Sequence, residues 1–339
     1  MLKSQTDSLA RSTAAPNTTW RQQLREAFRE PATLLDYLGL PADRADQPRP
    51  VPFPMMVPLA FARRMRRNDR HDPLLRQVLP DPDETRLAAG FSSDPVGDLG
   101  SRRAPGLLHK YTGRVLVVTT GACAIHCRYC FRQHFPYPGE RAPGRRWSET
   151  LDYLAGNADV NEIILSGGDP LMLPTRQLRA LTDSLGTHSG IKRLRLHTRL
   201  PVVLPDRVNA ALLEWMDSLP WPLILVVHAN HPAEFDAEVD TAMQRLRSSG
   251  AQLLNQAVLL AGVNDDVAVL KALMERGLSA GVLPYYLHLL DRVAGAQRFE
   301  VELQKARQLL EELRRELPGY LVPRLVLEQA GMPYKTPVL

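Results

Sequence analysis

Cys123-Ala-Ile-His-Cys127-Arg-Tyr-Cys130 holds all three cysteines of this 339-residue chain within eight positions. Three thiolates on one short loop can bind three irons of a cubane cluster and leave the fourth iron open to a small molecule. A disulfide would pair at most two of them, and a chain with no other cysteine does not read as a disulfide scaffold. A structural zinc site is the rival, with His126 or His134 completing the ligand set. Such sites usually draw ligands from a second, distant knuckle, and none is visible. Directly upstream, the β-branched run Val115-Leu-Val-Val-Thr-Thr120 predicts a strand that Gly121-Ala122 breaks. The cysteines therefore leave the end of a strand.

Outward from this point, short apolar strands are predicted at 115–120, 162–165, 193–197, 223–228, 252–258, 281–286 and 321–327. Helical periodicity fills the intervals at 176–185, 206–219, 234–249, 267–276 and 300–316. Strands alternating with helices about every thirty residues imply parallel βα units with right-handed crossovers. The expectation is an α/β chain folded as an incomplete (β/α) barrel. Before Leu107 the chain is polar and punctuated by prolines, with short helices predicted at 20–28, 31–38 and 59–67 and an extended linker at 41–54. The expected organisation is a helical extension at 1–104 followed by the barrel at 105–339.

In such a barrel the reactive groups gather at the C-terminal ends of the strands. That rule sets the cysteine loop after the first strand, Ser166-Gly167-Gly168-Asp169 after the second, His197-Thr198-Arg199 after the third and His228-Ala229-Asn230 after the fourth. Asn255 and Gln256 fall within the fifth strand, and Tyr285, Tyr286, His288 and Asp291 follow the sixth. Each residue read alone is a satisfied loop or core group, and Asp169 alone is a helix cap. Their shared rim is what singles them out.

The apolar fraction of 44% supports a sizeable core. A net charge of +5, scattered along the chain, is too small to argue for direct binding of nucleic acid. There is no apolar run long enough to cross a membrane and no apolar core of a signal peptide near Met1, so a cytoplasmic protein is expected.

The C-x3-C-x2-C spacing, with Tyr129 before its last cysteine, resembles the radical S-adenosyl-L-methionine superfamily, and Ser166-Gly167-Gly168-Asp169-Pro170 is similar to its second-strand glycine motif. Further segments narrow the resemblance to the lysine 2,3-aminomutase family: KYTGRVL at 110–116, CRYCFRQHFPY at 127–137, LSGGDPL at 165–171 and HTRLPVVLP at 197–205. So do HANHP at 228–232, NQAVLLAGVND at 255–265, LPYYLHLLD at 283–291 and KTPVL at 335–339. Together they span about residues 105–339.

This resemblance implies a barrel of the radical S-adenosyl-L-methionine type carrying a [4Fe-4S] cluster on Cys123, Cys127 and Cys130. It implies S-adenosyl-L-methionine held near Tyr129, Ser166, Gly167, Gly168, Asp169, His228 and Gln256. It also implies pyridoxal 5'-phosphate joined to Lys335, with its phosphate met by Tyr111, Arg114 and Lys110; Lys110 stands where the family has arginine. Read alone, Lys335 is an exposed tail lysine. Arg132 matches the clamp on the substrate carboxylate, while Asp291 and Glu328 match the pair that meets the side-chain ammonium of lysine. Glu328 stands where free-lysine mutases carry aspartate, and read alone it is a surface carboxylate.

The implied reaction converts (S)-α-lysine to (R)-β-lysine with an external electron donor. The short length, the proline-rich start and the PYKTPVL ending are most similar to the branch that serves β-lysylation of elongation factor P, together with its lysine-ligating enzyme. With no cysteine outside the loop, the zinc ion and C-terminal assembly region of free-lysine mutases are expected to be absent. A related aminomutase acting on free lysine, arginine or glutamate, and a cluster-bearing binding module, remain alternative readings.

Overall fold

The computed structural model describes residues 19–41, 53–86, 88–140, 147–188 and 190–339, so the predicted linker at 41–54 lies almost wholly outside them. Among the described residues ten strands form one sheet in strict chain order. They are β1 (Arg102–Ala104), β2 (Leu107–Tyr111), β3 (Arg114–Thr120), β4 (Glu162–Gly167), β5 (Arg193–Thr198), β6 (Leu223–Val227), β7 (Gln252–Val258), β8 (Leu283–His288), β9 (Arg324–Leu327) and β10 (Thr336–Pro337). From β3 to β9 each strand is parallel to the next, whereas β1, β2 and β10 pair antiparallel at the two edges. The edges do not pair with each other, which makes the barrel incomplete, as the alternation of elements predicted.

Crossover helices are delimited by side-chain caps. Asp266 accepts from the amides of Ala268 and Val269 to start Val267–Ser279, and Asp236 accepts from Val239 to start Ala237–Ser248. In Leu303–Glu316 the buried residues Ala306, Leu309, Leu310 and Leu313 recur at helical spacing, so one stripe faces the sheet. Every residue of β4 is buried, as expected for a parallel strand covered on both faces.

The N-terminal segments add to this core. Leu34, Leu35, Leu38, Phe61, Leu74 and Leu75 are fully buried in the same apolar cluster as the barrel strands. Each buried leucine of this kind contributes about 1.5–3 kcal/mol. The same segments grip the cysteine loop: Met56 O accepts from His126 N at 3.0 Å and Gln77 O from Arg128 N at 2.9 Å. Arg128, with none of its side chain exposed, pairs with Glu84 and donates to Phe53 O at 2.9 Å. The extension is thus the backing wall of the loop.

Several elements depart from the periodicity. The predicted strand at 281–286 lies two residues further on, so His288 joins Tyr285 and Tyr286 within β8 rather than lying in the loop after it. Gly281, at φ +78°, makes the turn that shifts it. The predicted helix at 206–219 is a short 3-10 turn at Pro205–Arg207 followed by Ala210–Asp217, because Asn209 caps the second piece. The predicted helix at 59–67 ends at Ala62. β1, β2 and β10 carry no alternation that marks them as strands; they exist because a neighbouring strand offers hydrogen bonds.

Candidate active site

The barrel surrounds a cavity of about 220 Å3, lined by every residue that the family resemblance assigned to the cluster, the cofactors or the substrate, whereas Asn255 is turned to the backbone of Ala229 and does not line it. On one side lies the cysteine loop. Burial, reinforced by the neighbouring thiols, pushes Cys123 well above the ordinary thiol range, and burial pushes Cys130 up to about 12. Three thiolates gathered on one wall of the cavity need a cation beside them, which iron would supply. The histidines of the zinc alternative face elsewhere: His126 Nδ1 lies 2.8 Å from Pro54 O and His134 Nε2 3.0 Å from Ala294 O.

Next to the loop, the end of β4 brings bare backbone to the cavity. Gly167 has φ +124°, and a Cβ there would lie 2.4 Å from Thr120 O; at Gly168 it would lie 2.4 Å from Ala122 O. Only glycine lets these turns pass each other. Asp169 ties the strand ends together, accepting from Leu171 N at 3.0 Å, Thr198 Oγ1 at 2.7 Å, Arg199 N at 2.8 Å and Leu200 N at 3.0 Å. Its carboxylate is consumed by the protein, so Asp169 shapes the wall. Tyr129 Oη is also engaged, accepting from Asn230 Nδ2 at 2.6 Å and Arg199 Nη1 at 2.7 Å.

Across the cavity runs a chain of alternating charges. Arg132 donates through Nε to Asp98 Oδ2 at 2.6 Å and through Nη1 to Ser166 Oγ at 3.0 Å. Lys110 Nζ lies 2.6 Å from Asp98 Oδ1 and 2.9 Å from Glu328 Oε1, and Glu328 in turn accepts from Lys335. Burial works against the charge of Glu328, but Lys335 and Lys110 hold its carboxyl well below the usual range. The side chains of Lys335 and Glu328 are only 16% and 13% exposed, so neither is a surface group. This chain spans the open seam of the barrel, from β2 to the segment after β9.

Several buried polar atoms facing the cavity have no protein partner among the described residues: His197 Nε2, His228 Nε2, His288 Nε2, Gln256 Oε1 and Asp291 Oδ1. Burial lowers all three histidines, His228 to about 3, so they are neutral at ordinary pH. Burial first, and the nearby Glu328 second, push Asp291 up to about 7. Native interiors rarely leave such groups unpaired, and a polar ligand would satisfy them. At the far end, the hairpin register pairs Tyr111 with Arg114 and sets the guanidinium 4.7 Å above the Tyr111 ring. Arg114 makes no ion pair among the described residues, which suits it to an anion.

Asp98, Gln77, Glu84 and Glu234 were not singled out by the sequence. They lie far from the cysteines in the chain or in segments without periodic pattern; Asp98 lines the cavity, and the side chains of Gln77, Glu84 and Glu234 are buried against Arg199 or Arg128. His197, Arg195 and Tyr286 also line the cavity.

Residues 117–273 match the Radical SAM superfamily. Over 322 residues the chain is 44% identical to L-lysine 2,3-aminomutase of Escherichia coli (strain K12), covering 94% of each chain. The chain belongs to the lysine 2,3-aminomutase family. Its identity to L-lysine 2,3-aminomutase of Haemophilus influenzae is 41%, again over 94% of each chain. With that of Clostridium subterminale it is 35%, over 80% of this chain and 65% of the other. A radical SAM methyltransferase from Sphaerobacter thermophilus superposes with a TM-score of 0.45 at 16% identity, covering 65% of this chain and 68% of that one. A likeness of that size settles nothing further. Membership of the radical SAM superfamily implies a [4Fe-4S] cluster and S-adenosyl-L-methionine, and the cysteine loop fits the cluster. No helix among the described residues is long and apolar enough to cross a membrane.

Anaerobic reconstitution should give brown protein with about four irons and four sulfides per chain, as one cubane requires. Cys127→Ala should lose them. Near-stoichiometric zinc in place of iron would reinstate the zinc reading.

Proposed function

We propose that this protein isomerises (S)-α-lysine to (R)-β-lysine, using the cluster, S-adenosyl-L-methionine and pyridoxal 5'-phosphate. The observation that carries this reading is the charge chain Arg132–Asp98–Lys110–Glu328–Lys335, with Asp291 beside it, in the cavity that also holds the cysteines. When bound, the cluster with S-adenosyl-L-methionine supplies a carbon radical, and pyridoxal 5'-phosphate supplies the conjugated system that carries it.

The protein's own groups divide the remaining work. Cys123, Cys127 and Cys130 hold the cluster, while the backbone at Ser166, Gly167 and Gly168, with His228 and Gln256, receives S-adenosyl-L-methionine. Lys335 is the covalent anchor of pyridoxal 5'-phosphate. Tyr111 and Arg114 receive its phosphate; Lys110 is turned to Asp98 and Glu328 and serves as a counter-charge. Arg132 offers the guanidinium for the substrate carboxylate, which must share it with Asp98.

Charge balance favours a cationic side chain. Were Lys335 committed to the cofactor, its pairing with Glu328 would weaken, and a buried carboxylate short of a partner is costly. A substrate ammonium restores the balance, and ionised Asp291 adds a second contact. A glutamate side chain would instead meet two carboxyl groups.

The likeness of the N-terminal segment and the KTPVL ending supports use of the β-lysine for elongation factor P by a separate ligating enzyme, in the cytoplasm and with an external electron donor. Organisation as an extension at 1–104 and a barrel at 105–339 accords with the extension's place behind the cysteine loop. The test is anaerobic incubation of reconstituted protein with lysine, arginine and glutamate, with mass-spectrometric detection of β-isomers. β-Lysine as the main product is expected. Preferential conversion of glutamate or arginine would overturn the substrate, and no conversion with both cofactors bound would leave a binding module.

A further inference from the structure

Arg199 closes β5 and has only 7% of its side chain exposed. Its Nη1 lies 2.7 Å from Cys127 Sγ and 2.7 Å from Tyr129 Oη. Its Nη2 donates to Gln77 Oε1 at 2.7 Å and to Glu234 Oε2 at 2.8 Å. Glu234 is fully buried, and its other oxygen accepts from Asn230 N at 2.9 Å and Gln77 Nε2 at 3.2 Å. The rings of Phe61 and Tyr129 flank the guanidinium at 5.4 and 5.8 Å. Four parts of the chain therefore fix one cation beside one cysteine sulfur.

We propose that Arg199, held in place by Glu234, is a positioning residue that raises the reduction potential of the cluster bound at Cys127. The inference rests on the cluster reading above. Reduction adds one electron to the cluster, and a hydrogen bond from a cation to a ligating sulfur favours the more negative state. Glu234 sits behind Arg199 and cancels part of that charge, so the two residues act with opposite sign. The fork matters: an arginine reaches sulfur, Glu234 and Gln77 at once, which a single ammonium does not. Gln77 also gives the N-terminal segment a direct part in the arrangement.

The test is an electron-paramagnetic-resonance redox titration of anaerobically reconstituted wild type, Arg199→Gln, Arg199→Lys and Glu234→Gln, after iron and sulfide analysis. Arg199→Gln should move the midpoint potential to more negative values and Glu234→Gln to more positive ones, with Arg199→Lys between wild type and Arg199→Gln. Should Arg199→Gln fail to hold a cluster, the near-isosteric Glu234→Gln decides by itself. Its positive shift supports the proposal, and an unchanged or negative midpoint overturns it. Shifts of the same sign in both variants would also overturn it, because general loosening and entry of water would act alike on each. A wild type with no cluster at all would fail the cluster reading rather than the role of Arg199.

Discussion

Lys335→Ala protein reconstituted with pyridoxal 5'-phosphate should lack the yellow lysine-bound form of that cofactor and keep only the brown of the cluster, with the iron and sulfide contents of wild type. The cavity contains two lysines, Lys335 and Lys110. Lys110 is held by two carboxylates and by Val96 O at 2.9 Å, which restrains its amine. Elsewhere Lys271 pairs with Glu316 and Lys305 with Asp265, and Lys192 is exposed. Lys335 has one carboxylate partner and its Nζ lies 5.9 Å over the Tyr286 ring, beside the apolar surface a planar cofactor needs. Its loss should remove turnover altogether, since among the described residues the one other amine in the cavity, Lys110, is held by its two carboxylates. The cysteines belong to a different loop, so cluster assembly should not suffer. Borohydride reduction followed by peptide mapping should label Lys335; a label on Lys110 would move the anchor across the seam and refute this assignment.

Asp291→Asn should weaken lysine turnover by roughly a hundredfold or more, because breaking a buried ion pair costs on the order of 3–5 kcal/mol. A pH effect accompanies it. Asp291 is raised from 3.8 to about 7 by burial and then by Glu328. A substrate ammonium needs the ionised carboxylate, so lysine binding must release the proton that Asp291 carries at lower pH. Affinity for lysine should therefore climb about tenfold per pH unit towards neutrality and level off above about 7. In Asp291→Asn that limb should vanish. Without substrate the sign for stability is opposite: between pH 3.8 and about 7 the folded protein keeps a proton that the unfolded chain releases, so this group lowers stability as pH rises through the window. Calorimetric titrations with lysine in buffers of different ionisation enthalpy measure the released proton. The same profile in wild type and Asp291→Asn would exclude Asp291 as its source.

The two predictions draw on different kinds of information. Lys335 stands in a motif that resembles the family's, and its number could be written down before any fold was known. The raised carboxyl of Asp291 could not, because it depends first on burial in the cavity and then on Glu328 lying near it although the two are far apart along the chain. Asp98 is a sharper instance. It sits in an irregular segment rich in turns, yet its carboxylate joins Arg132 to Lys110 with almost no exposure.

The cysteine loop, the strand before it and the alternation of strands with helices were legible because they are local: β-branching, helical spacing and glycine breaks act over a few residues. The sequence by itself thus determined the parallel barrel, the rim where its polar residues meet, and the cysteines and lysine that line it. Tertiary structure decided the rest. It set β8 two residues beyond its predicted span, made strands of β1, β2 and β10 through borrowed hydrogen bonds, and turned the N-terminal segments into the wall behind the cysteine loop. It also chose each charge's partner, because the energy of a buried ion depends on the nearest counter-charge and the water excluded around it, and neither distance is written in the order of the residues.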